Sequence, residues 1–130
     1  MKKAFTIIEI IVAITVLTIG VLGVSVFFSL ALKATDSANH ITSASNLAQG
    51  VIDAELVKSY DGTANTIRVR FSTDSASPYY NYYKTVNISL IDQNLAPSGT
   101  DVGLKKIEVI VDWQEGTEVK DVQISTIKAE

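Results

Sequence analysis

A carboxylate beside a long uncharged run, a single imidazole and no thiol define the chemistry open to this chain. Glu9 stands at the head of an uncharged run. From Ile10 to Leu32 there are 23 residues without an ionisable side chain, and no lysine or arginine lies between Lys3 and Lys33. His40 is the only histidine and cysteine is absent, so disulfides and thiolate metal sites are excluded, and an imidazole ligand has no second member. A surface or packing role is expected for His40. Asp92, Asn94 and Asp101 place oxygen ligands in one loop, Asp92 to Gly103, but their spacing matches no defined calcium loop, so no metal is expected there. No nucleophile, base and orienting group converge, which argues against an enzyme and against any cofactor. Arg68 and Arg70, or the Lys105-Lys106 pair, are the residues that would touch DNA. Alternating charges on a strand usually form a solvated face, and 11 basic against 14 acidic residues leave a net charge of −3. DNA is therefore the weakest of the partners considered.

Glu9 needs an explanation that the other groups do not. As a helix at about 1.5 Å per residue, the stretch after it spans about 35 Å, enough to cross a hydrocarbon core of about 30 Å. Helix is the form in which a single segment satisfies its own backbone in lipid. The basic head Met1-Lys2-Lys3-Ala4 predicts an N-terminus held in the cytoplasm. A secretory signal would have an apolar core of only about 7–15 residues. A plain anchor fits the length but leaves Glu9 unexplained, since an ionised carboxylate in a bilayer costs at least about 2.5–3.5 kcal/mol. The carboxylate asks for a cation. A cut between Ala4 and Phe5 would create one, a new amine one helical turn away.

Lys3-Ala4-Phe5-Thr6-Ile7-Ile8-Glu9-Ile10-Ile11-Val12-Ala13-Ile14 resembles the prepilin-type cleavage and methylation signature of type IV pilins and type II secretion pseudopilins. The resemblance implies that a prepilin peptidase removes residues 1–4, cutting between Ala4 and Phe5, and that Phe5 is N-methylated. It further implies that Glu9 neutralises a subunit's terminal amine during filament assembly. Ala4 stands where the family usually has glycine. Gly20 and Gly23 lie within the span, where small residues permit close helix packing, but their spacing of three is not the GxxxG pattern.

The elements that hold these residues follow from periodicity. Ile41, Ala44, Leu47, Ala48, Val51, Ile52 and Leu56 recur at spacings of three and four, which predicts an amphipathic continuation of the helix to about Lys58 and a stop at Tyr60-Asp61-Gly62. Asn46 to Gln49 and Glu55-Leu56 resemble the helix end of PilV-like minor pilins or I-type pseudopilins. Beyond it, four stretches have the period of a sheet with one buried face. Ile67, Val69 and Phe71 alternate in Thr66 to Phe71. Tyr82, Val86, Ile88 and Leu90 do so in Tyr82 to Leu90, and Ile107, Val109, Val111 and Trp113 in Lys105 to Trp113. The fourth, Glu118 to Ile127, carries Val119, Val122, Ile124 and Ile127 more weakly. Gln114 to Thr117 reads as a hairpin. Tyr79-Tyr80-Asn81-Tyr82-Tyr83 is an aromatic cluster suited to cross-strand packing or to contact with a neighbouring subunit.

The expected fold is α+β: one long N-terminal helix on an antiparallel sheet of about four strands, which is also pilin-like architecture. Its parts are a leader (1–4), a transmembrane or filament-core helix (5–32), an amphipathic half (33–60) and a β head (61–130). The function this implies is that of a filament subunit, a minor pilin or pseudopilin in a type IV pilus, a type II secretion pseudopilus or a related filament. Its implied partners are other pilin or pseudopilin subunits, prepilin peptidase, an inner-membrane assembly platform and the lipid bilayer. The implied location is the inner membrane, with the head outside the cytoplasm, and then the filament. The alternative from another class is a membrane-anchored binding module for DNA uptake or adhesion that never polymerises.

Overall fold

A computed structural model describes residues 6–130. The leader and the Ala4–Phe5 junction lie outside the described residues. Helix α1 runs from Ile7 to Val57, and strands β1 (Thr66–Arg70), β2 (Tyr82–Leu90), β3 (Leu104–Glu115) and β4 (Glu118–Ala129) follow. The chain divides into two compact units, residues 1–38 and 39–130.

In the first unit the described residues form the leading part of α1. Its large apolar side chains from Ile7 to Leu32 are at least half exposed, as those of a largely apolar helix must be when no other element covers it. The helix is long and apolar enough to cross a membrane.

In the second unit the rest of α1 packs on the sheet. The strands form an antiparallel meander in the order β1-β2-β3-β4. Alternation decides the faces. Ile107, Val109, Val111 and Trp113 of β3 point at the helix, and Tyr82 and Val86 of β2 and Val122 and Ile124 of β4 flank them. The helix meets them with Ala44, Ala48, Val51 and Ile52. Ala44 and Ala48 are wholly buried, and their small size lets the helix backbone approach the sheet closely. The β3–β4 turn has Gly116 at φ 63°, while Thr117 is not in the left-handed region. Glycine at the first of two central residues, with Glu115 paired to Glu118, is the II′ pattern that suits strand twist.

Two strand expectations need correction. Ile67 was expected on the buried face of β1, yet it is 86% exposed. A register shift between Thr66 and Val69 inserts an extra residue against β2 and breaks the alternation there. Val119 and Ile127 were grouped with Val122 and Ile124, but odd positions of β4 point away from the helix, and both are exposed.

An unforeseen buried cation closes the helix. Lys128 is 8% exposed. Its Nζ donates to the Glu55 carbonyl at 2.9 Å, to the Leu56 carbonyl at 3.1 Å and to the Lys58 carbonyl. The last turn of α1 holds no basic residue of its own, so β4 supplies the positive charge that the carbonyl end of a helix favours.

Candidate assembly site

Thr6 precedes the first helical residue, and its Oγ1 accepts the Glu9 amide at 3.4 Å while its carbonyl accepts the same amide at 3.1 Å. Thr6 to Glu9 therefore has the Thr-x-x-Glu spacing of a capping box, with Thr6 as the N-cap. The spacing alone makes the hydroxyl's part legible in the sequence. Glu9 sits in the first turn, where a carboxylate is favoured by the amide end of the helix. Its expected partner, the amine of Phe5, lies outside the described residues, as do both sides of the expected cut.

The span from Ile10 to Leu32 contains four hydroxyl residues, and each, like Thr35 just beyond it, is satisfied within the helix. Thr15 donates to the Ile11 carbonyl at 2.8 Å, Thr18 to Ile14 at 2.8 Å, Ser25 to Val21 at 2.9 Å, Ser29 to Ser25 at 3.1 Å and Thr35 to Ala31 at 3.0 Å. A hydroxyl returned to its own backbone presents no unmet polar group to lipid. At Gly20 and Gly23 an added methyl group would meet nothing within 4 Å. Gly20 lies in a shallow apolar groove with Val16, Leu17, Val21 and Val24.

On the head, the residues singled out for chemistry are occupied structurally. His40 Nδ1 lies 2.5 Å from the Tyr82 hydroxyl, and its ring is stacked on Trp113 at a 20° interplanar angle. This is the packing role expected of it. Asp92 Oδ1 accepts the amides of Asn94 and Ala96. Asp101 Oδ1 accepts the Tyr60 hydroxyl at 2.5 Å and the Gly103 amide at 2.9 Å. Both carboxylates thus shape their loop, and among the described residues no cluster of three acidic or imidazole ligands occurs. The Tyr60 bond holds the Asp101 carboxyl below its ordinary value. Partial burial, followed by the same bond and charge, pushes the Tyr60 hydroxyl up to about 12. Lys105 donates to the Tyr60 carbonyl at 3.0 Å and lies 3.9 Å over its ring, while Lys106 pairs with Glu108 at 2.9 Å.

Arg68 and Arg70 are more engaged than a solvated face requires. Arg68 pairs with Asp112 at 2.5 Å across the sheet and lies 3.7 Å over the Tyr83 ring. Arg70 donates to the Tyr83 hydroxyl at 3.1 Å through Nε and also through its terminal nitrogen, and it lies 4.1 Å over Tyr80. The aromatic cluster therefore splits between the two faces: Tyr82 is buried under the helix, and Tyr80 and Tyr83 are stacked with arginine outside.

No curated protein and no solved structure matches the chain. The family described as the prokaryotic N-terminal methylation motif matches residues 1–25, the stretch that holds the basic head, Glu9 and most of the uncharged span. The start of the chain thus carries the signature of type IV pilins and pseudopilins, that of a substrate of prepilin peptidase.

Proposed function

We propose that the chain is a filament subunit, a minor pilin or pseudopilin, stored in the inner membrane with its head outside the cytoplasm. Residues 1–4 are its leader, and cleavage after Ala4 frees Phe5 for methylation. The observation that carries this reading is the methylation motif over residues 1–25, with Glu9 one turn inside a helix that is otherwise uncharged as far as Leu32. In lipid the Phe5 amine and Glu9 neutralise each other within one subunit. In the filament Glu9 meets the amine of a neighbour. Such a pair adds little net stability, but removing one partner strands the other, so its contribution is register. The hydroxyls bonded to their own helix support the reading, because they suit both lipid and a packed helical core.

Mass spectrometry of the membrane-extracted chain tests processing: residues 1–4 should be missing and one methyl added. Glu9→Ala should be cleaved and inserted normally but enter filaments poorly. An intact terminus would instead favour an anchored module that does not polymerise, and normal incorporation of Glu9→Ala would refute the role given to Glu9.

A further inference from the structure

The head's sheet has two open edges. Among the described residues β1 pairs only with β2, and β4 only with β3. β4 is 12 residues long and contains no proline, so one full side of its backbone is available for pairing. We propose that β4 of one copy pairs antiparallel with β1 of a second copy, so that neighbouring heads share a continued sheet. The proposal rests on the filament reading above and requires that copies of the chain stand next to one another in the filament.

Strand polarity favours this edge-to-edge match. Within the head, His40 lies at the start of β2 and the end of β3, against Tyr82 and Trp113. The Glu55–Lys58 carbonyls lie at the end of β4, on Lys128. Residues 40–57 of the helix therefore run with β2 and β4 and against β1 and β3. Subunits of one filament share a helix direction, so the β4 edge of one copy faces a β1 edge running the opposite way, as antiparallel pairing requires. Joining β4 to β4 would either reverse one helix or put the two helices on opposite faces of the sheet. A head-to-tail contact of this kind also propagates rather than closing as a dimer.

Charge selects the register. Arg70 has tyrosine partners but no ion pair among the described residues. Asp121 is exposed and stands directly opposite Asp112 in the β3–β4 ladder. Arg68 is taken by Asp112, and no ion pair reaches Asp121 among the described residues. One edge thus offers an arginine without a carboxylate, and the other a carboxylate that faces a like charge. Both point to the side of the sheet away from the helix. Setting Arg70 of the second copy opposite Asp121 also sets its Val69 opposite Val122. These two face the helix side, where Val69 is 47% exposed in the single chain. One register therefore matches charge on one face and apolar surface on the other.

The chain has no cysteine, so paired cysteines report the contact cleanly. The full chain carrying both Arg70→Cys and Asp121→Cys, expressed with its assembly machinery, should give a ladder of oligomers with a short bifunctional thiol reagent. A mixture of the two single variants should stop at a dimer, and each single variant alone should give none. Arg70→Asp or Asp121→Arg should lower filament incorporation by about tenfold or more. The double exchange should restore it, which a misfolded head could not do. Filaments that contain the chain yet give no ladder would overturn the edge contact and leave the filament reading intact. Cross-linking of Asp121→Cys to itself would also overturn it, in favour of a two-fold edge. Absence of the unmodified chain from filaments would overturn both proposals.

Discussion

Lys128 shows how much one side chain can hold. Its ammonium is nearly buried and is shared by three carbonyls at the end of α1. Replacing it by methionine keeps the stem but leaves those carbonyls unmet in a dry site. Hydrogen bonds to a charged group contribute about 1.5–3 kcal/mol, so Lys128→Met should destabilise the head by about that amount, read as a shift in the chemical unfolding midpoint of the detergent-extracted chain. Glu9 is a different case, because its effect is expected in assembly and not in head stability. Thermal melts of Glu9→Ala should match the parent. Sequence alone singled out Glu9, since a charge beside 23 uncharged residues is conspicuous. Lys128 is not legible in this way, because a lysine near a strand end ordinarily reads as solvated. Its even position, in step with Val122 and Ile124, was the one available hint.

For the elements, uncharged length gave the leading part of the helix, and periodicity gave its continuation and the four strands. The places where it misled are those where local geometry overrides alternation. At Ile67 an extra residue resets the phase, and in β4 apolar residues occur on both faces. The strand order and the pairing of Arg68 with Asp112 were not legible, since they depend on which strands meet. The contact between helix and sheet makes a paired prediction. Ala48 is fully buried in the core, so Ala48→Leu should cost about 1–3 kcal/mol by overpacking. Gly50, two residues on, has open space where a side chain would begin. Gly50→Ala should stabilise the helix by about 0.5–1 kcal/mol. Denaturant titration of Ala48→Leu distinguishes a tight helix–sheet interface from a loose one, in which that change would be nearly neutral, while Gly50→Ala reports the helix backbone alone.

The head as a whole should have a stability plateau bounded on both sides by pH. The Tyr60 bond depresses the Asp101 carboxyl, and the Lys106 bond depresses that of Glu108. Both contributions are in place above the ordinary values of 3.8 and 4.5, and are lost as the pH falls through the lower folded-state values. Tyr60 has the opposite sign: its contribution is in place below its ordinary 10.0 and is lost as the pH rises toward about 12. Melting temperature against pH should therefore fall at both extremes, and Tyr60→Phe should remove the alkaline fall while weakening the acid one. A second whole-molecule consequence comes from the separation between Lys128 and the turn it closes, 73 residues to Glu55. A helix that nucleates early would keep a ragged terminus until the final hairpin docks, and bringing those distant points together is slow. Refolding of the head should consequently be a single late event, with no stepwise growth outward from the membrane anchor. Under the proposed placement of the head outside the cytoplasm, the emerging polypeptide would stay open to proteases until its last strand had crossed.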